Sequence, residues 1–234
     1  MTVPVSSGPR YVVVALALAA CAALLAGCGQ TVTGEPVAVE QPVRRVDAQL
    51  SALLPDPARF PAGYPAVVLP PEAAAQAAGD LNGVARGSSV RPETCAPPEQ
   101  RYGPDDTVIA VGTAERTRAT LTVELTRTDD PLSALREQVR RCGELRVGRA
   151  GATATVTTTL DPSPPVDADD TLALRRTVAP DVGGAGLTQS MRTLAGQIGD
   201  VRITVTYMTF GDETPDTAAL DELFTTAVGK VRAA

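Results

Sequence analysis

The chain has 234 residues, of which 21 are basic, 27 are acidic and none is histidine, so its net charge is −6 at pH 7. The absence of histidine excludes Ser-His-Asp and Cys-His catalysis. The acidic balance argues against nucleic acid as a partner, because phosphate backbones are bound by basic surfaces.

The N-terminal segment has the features of an export signal. Arg10 is its only cation, the stretch 11–27 is uncharged, and the segment ends in Leu25–Cys28 with the sequence LAGC. This pattern is typical of a lipoprotein signal peptide, and the apolar run is shorter than the about 20 residues of a bilayer span. We therefore predict that residues 1–27 are a signal peptide. We also predict that Cys28 carries a diacylglyceryl group, which anchors the protein on the extracytoplasmic face of the cell membrane.

The remainder of the chain divides into a tether and a domain. Residues 28–42 contain the lipidated cysteine and a polar, proline-containing stretch without periodicity, which predicts a flexible tether. Residues 43–234 have a length that suits a single hydrophobic core. We predict that they form one sensor-like α+β domain.

Two cysteines remain in this domain, Cys95 and Cys142. A redox pair usually has the spacing Cys-x-x-Cys, and a zinc site normally needs four ligands from cysteine and histidine. Disulfides persist outside the cytoplasm, so we predict a structural disulfide between the two. The loop that it closes, about 48 residues, corresponds to roughly 4 kcal/mol of stabilisation in the chain-entropy model.

The spacing of apolar residues predicts four helices. They cover residues 45–54, residues 71–78, the segment from the N-cap Asp130 to Gly143, and the C-terminal segment from Thr214 onward. Cys142 falls on the inner side of the third helix at its end. The disulfide is therefore expected to hold this helix to the loop-rich segment 80–105.

Alternation of apolar and polar residues predicts six strands. They cover residues 107–115, 119–127, 149–160, 171–179, 188–197 and 201–210. The first two form a hairpin, and the last four should pair antiparallel because no helix separates them. The order α-α-β-β-α-β-β-β-β-α predicts an α+β fold with a single antiparallel, curved sheet of about six strands and helices packed on one face.

The other face of this sheet is predicted to be rich in threonine and to point to solvent or to a polar ligand. Its members are Thr120, Thr122, Thr126, Thr153, Thr155, Thr157, Thr159, Thr204 and Thr206, with Arg175 and Arg202 nearby. The alternative is that threonine serves strand formation and solubility alone. Candidate ligand-binding residues are Phe60, Tyr64, Tyr102, Arg175, Arg202 and Tyr207, each with a structural role as the alternative.

The sequence contains no motif for catalysis, for a metal or for a cofactor. The aspartate groups 105–106, 129–130 and 167–170 lack the spacing of a calcium-binding loop, and the glycine-rich segment 182–187 lacks the ending of a phosphate-binding loop. A catalytic Ser–Lys dyad would have to use Lys230. A carboxylate pair for glycoside hydrolysis is the catalytic alternative that the sequence does not exclude. We predict a non-enzymatic protein with no cofactor and no metal.

Short motifs carry a family resemblance. Leu53-Leu54-Pro55, Phe60-Pro61-x-Gly63-Tyr64, Cys95-x-Pro97-Pro98 and a helix ending at Cys142 resemble the actinobacterial sensor-domain-containing lipoproteins of unknown function, which are similar to the extracellular sensor domain of PknH-type Ser/Thr kinases. The resemblance covers residues 45–234. It implies an antiparallel sheet with helices and a cleft for a ligand. That family has two disulfides, whereas this domain can form one, and a kinase domain is not implied here.

Three functions are compatible with these observations. The leading hypothesis is a lipid-anchored, non-enzymatic envelope protein whose sheet and loops bind a ligand or another envelope protein. The second is a carrier of a lipid or glycolipid in an apolar cavity of the curved sheet, which requires strands that are apolar on both faces. The third is a scaffold that only presents loops to a partner complex.

Overall fold

The computed structural model describes residues 43–211 and 213–234, so the predicted signal peptide 1–27, Cys28 and the tether 28–42 lie outside the described residues. In this part of the chain there are four α-helices: α1 (Leu50–Leu53), α2 (Pro71–Asn82), α3 (Leu132–Arg141) and α4 (Thr217–Arg232). The strands are β1 (Ala66–Val68), β2 (Ser89–Arg91), β3 (Thr107–Thr113), β4 (Thr120–Arg127), β5 (Glu144–Arg149), β6 (Ala152–Asp161), β7 (Asp170–Pro180), β8 (Gln189–Ile198) and β9 (Val201–Phe210).

These strands form one antiparallel sheet in the order β1-β3-β4-β9-β8-β7-β6-β5-β2. The predicted α+β class and single antiparallel sheet are confirmed, but the sheet has nine strands, so the expected number of about six is wrong. β1 and β2 have three residues each, which is too short for a visible alternation. β5 directly follows α3 and is joined to β6 by a turn at Ala150-Gly151. The sequence pattern predicted a single strand in this region, residues 149–160.

Helices cover both faces of the sheet, and the expectation that they share one face is wrong. On the face that we call the α4 face, Leu121, Val123 and Leu125 of β4 belong to the main core, which also contains the buried side of α4 and α1. On the opposite face, the α3 face, Leu172 and Leu174 of β7 pack against α3. α2 packs on the α3 face as well, through contacts with β3. β7 is therefore buried on both sides at Leu172–Leu174, in its first half.

The helix ends differ from the predicted ones by a few residues. α1 is limited to four residues, and α2 continues through the expected stop at Gly79 to Gly83, which ends it with a left-handed φ of 68°. Pro131, not Asp130, is the N-cap of α3, and Asp216 is the N-cap of α4. No helix among residues 43–211 and 213–234 is long and apolar enough to cross a bilayer.

The predicted threonine-rich face does not exist as one surface. Strand register places Thr120, Thr122, Thr126, Thr204 and Thr206 on the α3 face, and Thr153, Thr155, Thr157 and Thr159 on the α4 face. In the middle of the α3 face, Thr122, Thr193 and Thr206 are buried, and the hydroxyl groups of Thr193 and Thr206 are 2.9 Å apart. The four threonines of β6 on the α4 face are half-buried or exposed.

Asp200 fixes the N-terminal segment of the domain to the turn between β8 and β9. Its Oδ1 accepts a hydrogen bond from the Val46 amide at 2.8 Å, and its Oδ2 accepts one from Arg127 Nη1 at 2.6 Å. Its own amide donates to the Arg44 carbonyl oxygen at 2.9 Å. The side chain of Asp200 is buried, so the carboxylate and the guanidinium form an ion pair largely out of water.

A disulfide joins Cys95 to Cys142, as the sequence predicts, with the two Cα atoms 5.7 Å apart. Cys95 is buried at the end of the 3-10 helix Glu93–Cys95, and Cys142 is the C-cap of α3. The bond therefore ties the long connection between β2 and β3 to the end of a helix on the α3 face.

Candidate functional site

A cleft of about 740 Å³ opens at the end of the sheet where β3 and β4 turn and β9 ends. We call it the distal cleft. Three short segments form its walls: 62–65 before β1, 114–117 between β3 and β4, and 213–216 before α4. Its lining consists of Ala62, Gly63, Tyr64, Pro65, Ala114, Glu115, Arg116, Thr117, Tyr207, Glu213, Thr214 and Asp216.

Two tyrosines form the floor of the distal cleft. Tyr207 lies on the α4 face of β9, and the ring of Tyr64 meets it edge to face with the ring centroids 6.4 Å apart. Gly112 on β3 allows this approach, because a Cβ atom there would lie 2.8 Å from the Tyr64 carbonyl oxygen and 2.9 Å from the Phe60 ring. The glycine thus positions Phe60 and Tyr64 against the sheet, and Phe60 itself is buried.

Asp216 connects the cleft to α4. Its Oδ1 accepts the hydrogen bond from the Ala219 amide at 3.0 Å, which is the N-cap contact of α4, and its Oδ2 accepts a hydrogen bond from the Tyr64 hydroxyl at 3.2 Å. Burial raises the pKa of Tyr64, and the neighbouring Tyr207 and Asp216 raise it further. The Tyr64 hydroxyl therefore stays protonated and donates to Asp216.

The walls of the distal cleft are acidic. Glu115, Glu213 and Asp216 contribute carboxylates, and Arg116 contributes a guanidinium group. Within the described residues none of these four groups forms an ion pair with another side chain. Glu213 accepts one hydrogen bond, from the Thr209 hydroxyl at 3.2 Å.

The cleft and the N-terminal segment lie at opposite ends of the domain. α4 begins at the cleft with Asp216, and near its end Arg232 donates to Asp169 at 3.0 Å. Asp169 in turn accepts from the Gly199 amide at 2.8 Å, beside the turn to which Arg44 is bonded. The 16 residues of α4 correspond to about 24 Å at 1.5 Å per residue.

Of the six candidate ligand-binding residues, Tyr64 and Tyr207 line the distal cleft, and Phe60 is buried next to it. Arg175 lies on the α4 face but three strands away from β4, where it pairs with Asp161 at 2.9 Å. Arg202 lies on the α3 face and donates to the Asp130 carbonyl oxygen at 2.6 Å. Tyr102 also packs on that face, beside Ile109. These three residues are therefore separated from the distal cleft.

A half-buried carboxylate, Glu124, lies on the α3 face beneath the segment that follows Cys95. Gln100 Nε2 donates to Glu124 Oε1 at 3.1 Å, and the Thr126 hydroxyl donates to the same oxygen at 3.1 Å. Burial raises the pKa of Glu124, although these two hydrogen bonds and the charge of Arg202 act in the opposite direction. The Tyr102 hydroxyl donates to Gln100 at 3.3 Å and continues the network.

Replacing Glu124 with glutamine is expected to stabilise the protein at neutral pH. Because the folded-state pKa of Glu124 is raised, the folded protein holds this proton more tightly than the unfolded chain, and stability is lost as the pH rises through that pKa. The advantage of Glu124→Gln should shrink as the pH falls below the ordinary glutamate pKa of about 4.3.

Urea unfolding of the wild type and the variant over this pH range measures the difference. Glu222→Gln, at an exposed position on α4, is the control and should show no such trend. An advantage of Glu124→Gln that is the same at every pH, or none at neutral pH, contradicts the prediction.

Other acidic groups that the sequence singles out are engaged in contacts within the domain. Asp167 and Asp169 pair with Arg232, and Asp106 pairs with Arg101. No group of three or more metal-ligating side chains is found among the residues that the structure describes. Lys230, the lysine of the Ser–Lys alternative, donates to the Leu54 carbonyl oxygen.

Comparison with known proteins finds similar solved structures but no similar family model or curated protein. No family model matches the chain, and no curated protein matches it. An uncharacterized protein from Mycobacterium smegmatis, the Rv0999 ortholog, is similar over 75% of this chain and 92% of its own, with 18% identity and a TM-score of 0.43. The extracellular domain of PknH from Mycobacterium tuberculosis is similar over 83% of this chain and 99% of its own, with 13% identity and a TM-score of 0.48. The neighbours thus include the sensor-like domain that the sequence motifs resemble.

Proposed function

We propose that this protein is a lipid-anchored cell-envelope protein whose domain binds a small ligand in the distal cleft without converting it. The LAGC motif at Leu25–Cys28 supports export and anchoring through Cys28. The disulfide between Cys95 and Cys142 supports an oxidising compartment, because cytosolic thiols are kept reduced. Both features suit a domain that works on the extracytoplasmic face of the membrane.

The position of the distal cleft is the observation that carries this proposal. The chain enters the domain beside Asp200, and α4 separates that end from the cleft by about 24 Å. A tether that runs from Cys28 to Val43 therefore attaches to the end opposite the cleft. The cleft faces away from the attachment point, where it is accessible to molecules of the envelope.

The geometry of Asp216 favours binding over catalysis. A carboxylate that acts as a general acid, base or nucleophile needs an oxygen free to meet the substrate. Both oxygens of Asp216 are engaged, one by the Ala219 amide and the other by the Tyr64 hydroxyl. A glycoside hydrolase pair of Asp216 with Glu213 would have to give up the N-cap of α4.

The lining of the distal cleft also distinguishes between ligand classes. Carboxylates and hydroxyl groups form much of its wall, and an alkyl chain cannot satisfy them. The segment Leu172–Leu174 of β7 is apolar on both faces, as the carrier hypothesis requires, but it is covered by α3 on one side and by the main core on the other. A polar ligand is therefore favoured over a lipid.

Obstructing the cleft is expected to weaken ligand binding. Ala62 is exposed and lines the distal cleft, so Ala62→Trp should narrow it without disturbing the core. Ala134→Trp, at an exposed position on α3, is the matched control. The measurement is ligand-observed NMR on the full chain in detergent, with a panel of small amines, neutral sugars, carboxylates, phosphates and a fatty acid.

Binding of at least one polar class should weaken about tenfold or more in Ala62→Trp and be unchanged in Ala134→Trp, a loss of ~1.4 kcal/mol or more. If no polar probe shows this difference, the proposal is wrong. A fatty acid that binds equally to all three proteins would instead favour the carrier hypothesis.

A further inference from the structure

We infer that the sheet carries a phosphate-binding site outside the distal cleft, between Arg175 of β7 and Arg192 of β8 on the α4 face. Its ligand is a phosphate ester of a hydroxyl-rich molecule such as a sugar. Neither arginine lines the distal cleft, so this inference goes beyond the proposed function and does not depend on it. It is carried by the register of the two strands, by the bonding of the two guanidinium groups and by the exposure of the sheet around them.

In the described part of the chain, helices cover only part of the α4 face. α4 packs against β9, β8 and β4, and α1 packs against β4 and β3. Beyond them the sheet presents polar side chains, of which Arg175 and Thr177 on β7 and Thr159 on β6 are exposed, and Arg192 and Ser190 on β8 are half-buried. We call this surface the open face. A ligand can reach it from solvent.

The register of β7 and β8 places two positive charges directly opposite each other. Arg175 pairs with Arg192, so the two side chains leave neighbouring strands on the same face. Cβ atoms of directly opposite residues are about 4.5–5.5 Å apart, and like charges in this arrangement destabilise a sheet. An anion held between the two guanidinium groups would remove the repulsion.

Most donors of the two guanidinium groups are unused. Arg175 Nε donates to Asp161 Oδ1 at 2.9 Å, and the two terminal amino groups of Arg175 donate to none of the described residues. Arg192 forms neither an ion pair nor a side-chain hydrogen bond with the residues that the structure describes. An arginine carries five N–H donors. The pair therefore offers more donors than one carboxylate can accept.

The number of donors and charges favours phosphate over carboxylate. A single guanidinium group can bind both oxygens of a carboxylate in a bidentate manner. A phosphate ester has three terminal oxygens and a charge of about −1.5 to −2 at pH 7. Two guanidinium groups on neighbouring strands match that larger anion, because each can bind a different oxygen.

Hydroxyl groups next to the arginines extend the site. Thr159 lies opposite Arg175 on β6, and Thr177 and Ser190 lie opposite each other two residues along β7 and β8. A hydroxyl group both donates and accepts hydrogen bonds. These side chains suit a phosphate that is attached to a polyhydroxylated molecule.

The other charged groups around the open face leave the anion site intact. Arg146 of β5 is bonded to Asp181, and Glu144 lies at the start of β5, two strands away from Arg175. On the other side, Glu213 accepts from Thr209 of β9 and forms no ion pair with Arg192. The arginine pair with Asp161 thus keeps one positive charge.

Three probes with related rings test the site. Glucose 1-phosphate carries the phosphate ester, glucuronate carries a carboxylate and glucose is neutral. We expect glucose 1-phosphate to bind the full chain in detergent more tightly than glucuronate, and glucose least tightly, as measured by ligand-observed NMR titration. Added salt should weaken the binding of both anions, because the site is partly exposed to solvent.

Substitution of the arginines locates the binding. Arg192→Gln and Arg175→Gln should each weaken the binding of glucose 1-phosphate about tenfold, since each removes charged donors to the phosphate. Arg59→Gln, at an exposed position outside the open face, is the matched control and should leave the affinity unchanged.

The stability of Arg192→Gln separates ligand binding from a structural role. This substitution removes one of two opposed like charges, so the variant should unfold at the same urea concentration as the wild type or at a higher one. Arg175→Gln does not serve for this purpose, because it also removes the partner of Asp161.

Several results would overturn the inference. These are absence of glucose 1-phosphate binding, equally tight binding by Arg192→Gln, equally tight binding of glucuronate, and a lower stability of Arg192→Gln than of the wild type. Binding that is lost in Ala62→Trp but kept in Arg192→Gln would place the phosphate in the distal cleft, which overturns this site and supports the proposed function. Failure at the open face leaves the test of the distal cleft unaffected.

Discussion

Replacing Asp200 with alanine is expected to lower the free energy of unfolding by about 3–5 kcal/mol, because it leaves the charge of Arg127 without its partner. Arg127 is largely buried and donates to Asp200 at 2.6 Å. The same substitution removes the acceptor of the Val46 amide. The variant should therefore loosen the N-terminal segment as well as destabilise the domain as a whole.

Urea unfolding of the full chain measures this effect. Asp47→Ala, in the same segment at an exposed position, is the matched control and should change stability by less than about 0.5 kcal/mol. Gly199→Ala gives an independent test, since a Cβ atom there would lie 2.1 Å from the Arg44 carbonyl oxygen at a backbone φ of +54°. Asp200→Ala and Gly199→Ala variants that are as stable as the control would show that the N-terminal segment contributes nothing to the fold.

Removal of the disulfide is expected to have an effect of similar size. In the chain-entropy model, a bond that closes a sequence separation of 47 residues stabilises the folded state by about 4 kcal/mol. The double variant Cys95→Ser/Cys142→Ser should lose this amount. The segment that follows Cys95 should also lose protection against hydrogen exchange first, because it includes the Gln100 and Tyr102 contacts above Glu124.

Thermal unfolding with and without a reducing agent separates the bond from the substitutions. The reducing agent should lower the midpoint of the wild type to that of the double variant, and it should not affect the double variant. If the wild type is insensitive to reduction under conditions that open the bond, the predicted stabilisation is wrong. Hydrogen exchange that is unchanged around Gln100 would contradict the local part of the prediction.

The sequence predicted those helices and strands whose pattern of apolar residues is long enough to be recognised without knowledge of tertiary contacts. Strict alternation located β4, β8 and β9, and the apolar spacing of the C-terminal segment located α4, although Asp216 rather than Thr214 begins it. β1 and β2 escaped because three residues do not establish a period. β1 and β2 lie at the two edges of the sheet because they pair with β3 and β5, respectively. Each partner strand is distant in the sequence, so the pairing leaves no local pattern.

The threonine prediction failed for a different reason. Alternation shows that Thr153 and Thr155 share a face, and that Thr204 and Thr206 share a face, but it does not show whether the two pairs lie on the same side. That depends on the register between neighbouring strands. Here the register from β6 to β9 places the two pairs on opposite faces.

The distal cleft was predictable in part. Tyr64, near a predicted loop, and Tyr207, on a predicted strand, were among the candidate ligand-binding residues. Glu115, Glu213 and Asp216 carry no motif, and their convergence depends on three loops that meet in space. Their positions in the predicted elements were the one signal that the sequence offered. Glu115 ends a predicted strand at a tight turn, and Glu213 and Asp216 flank the start of the last predicted helix.

The buried threonine pair on the α3 face contributes to the alignment of β8 and β9, in addition to the tight turn that joins them. Apolar alternation alone would tolerate a slip of two residues, because every side chain would keep its face. After such a slip Thr206 would lie opposite Met191 or Ala195 instead of Thr193, and its hydroxyl would lose its partner. An unsatisfied buried hydroxyl costs about 1–3 kcal/mol. The two hydroxyl groups thus favour the observed alignment of this hairpin over slipped ones that keep every apolar residue on its face.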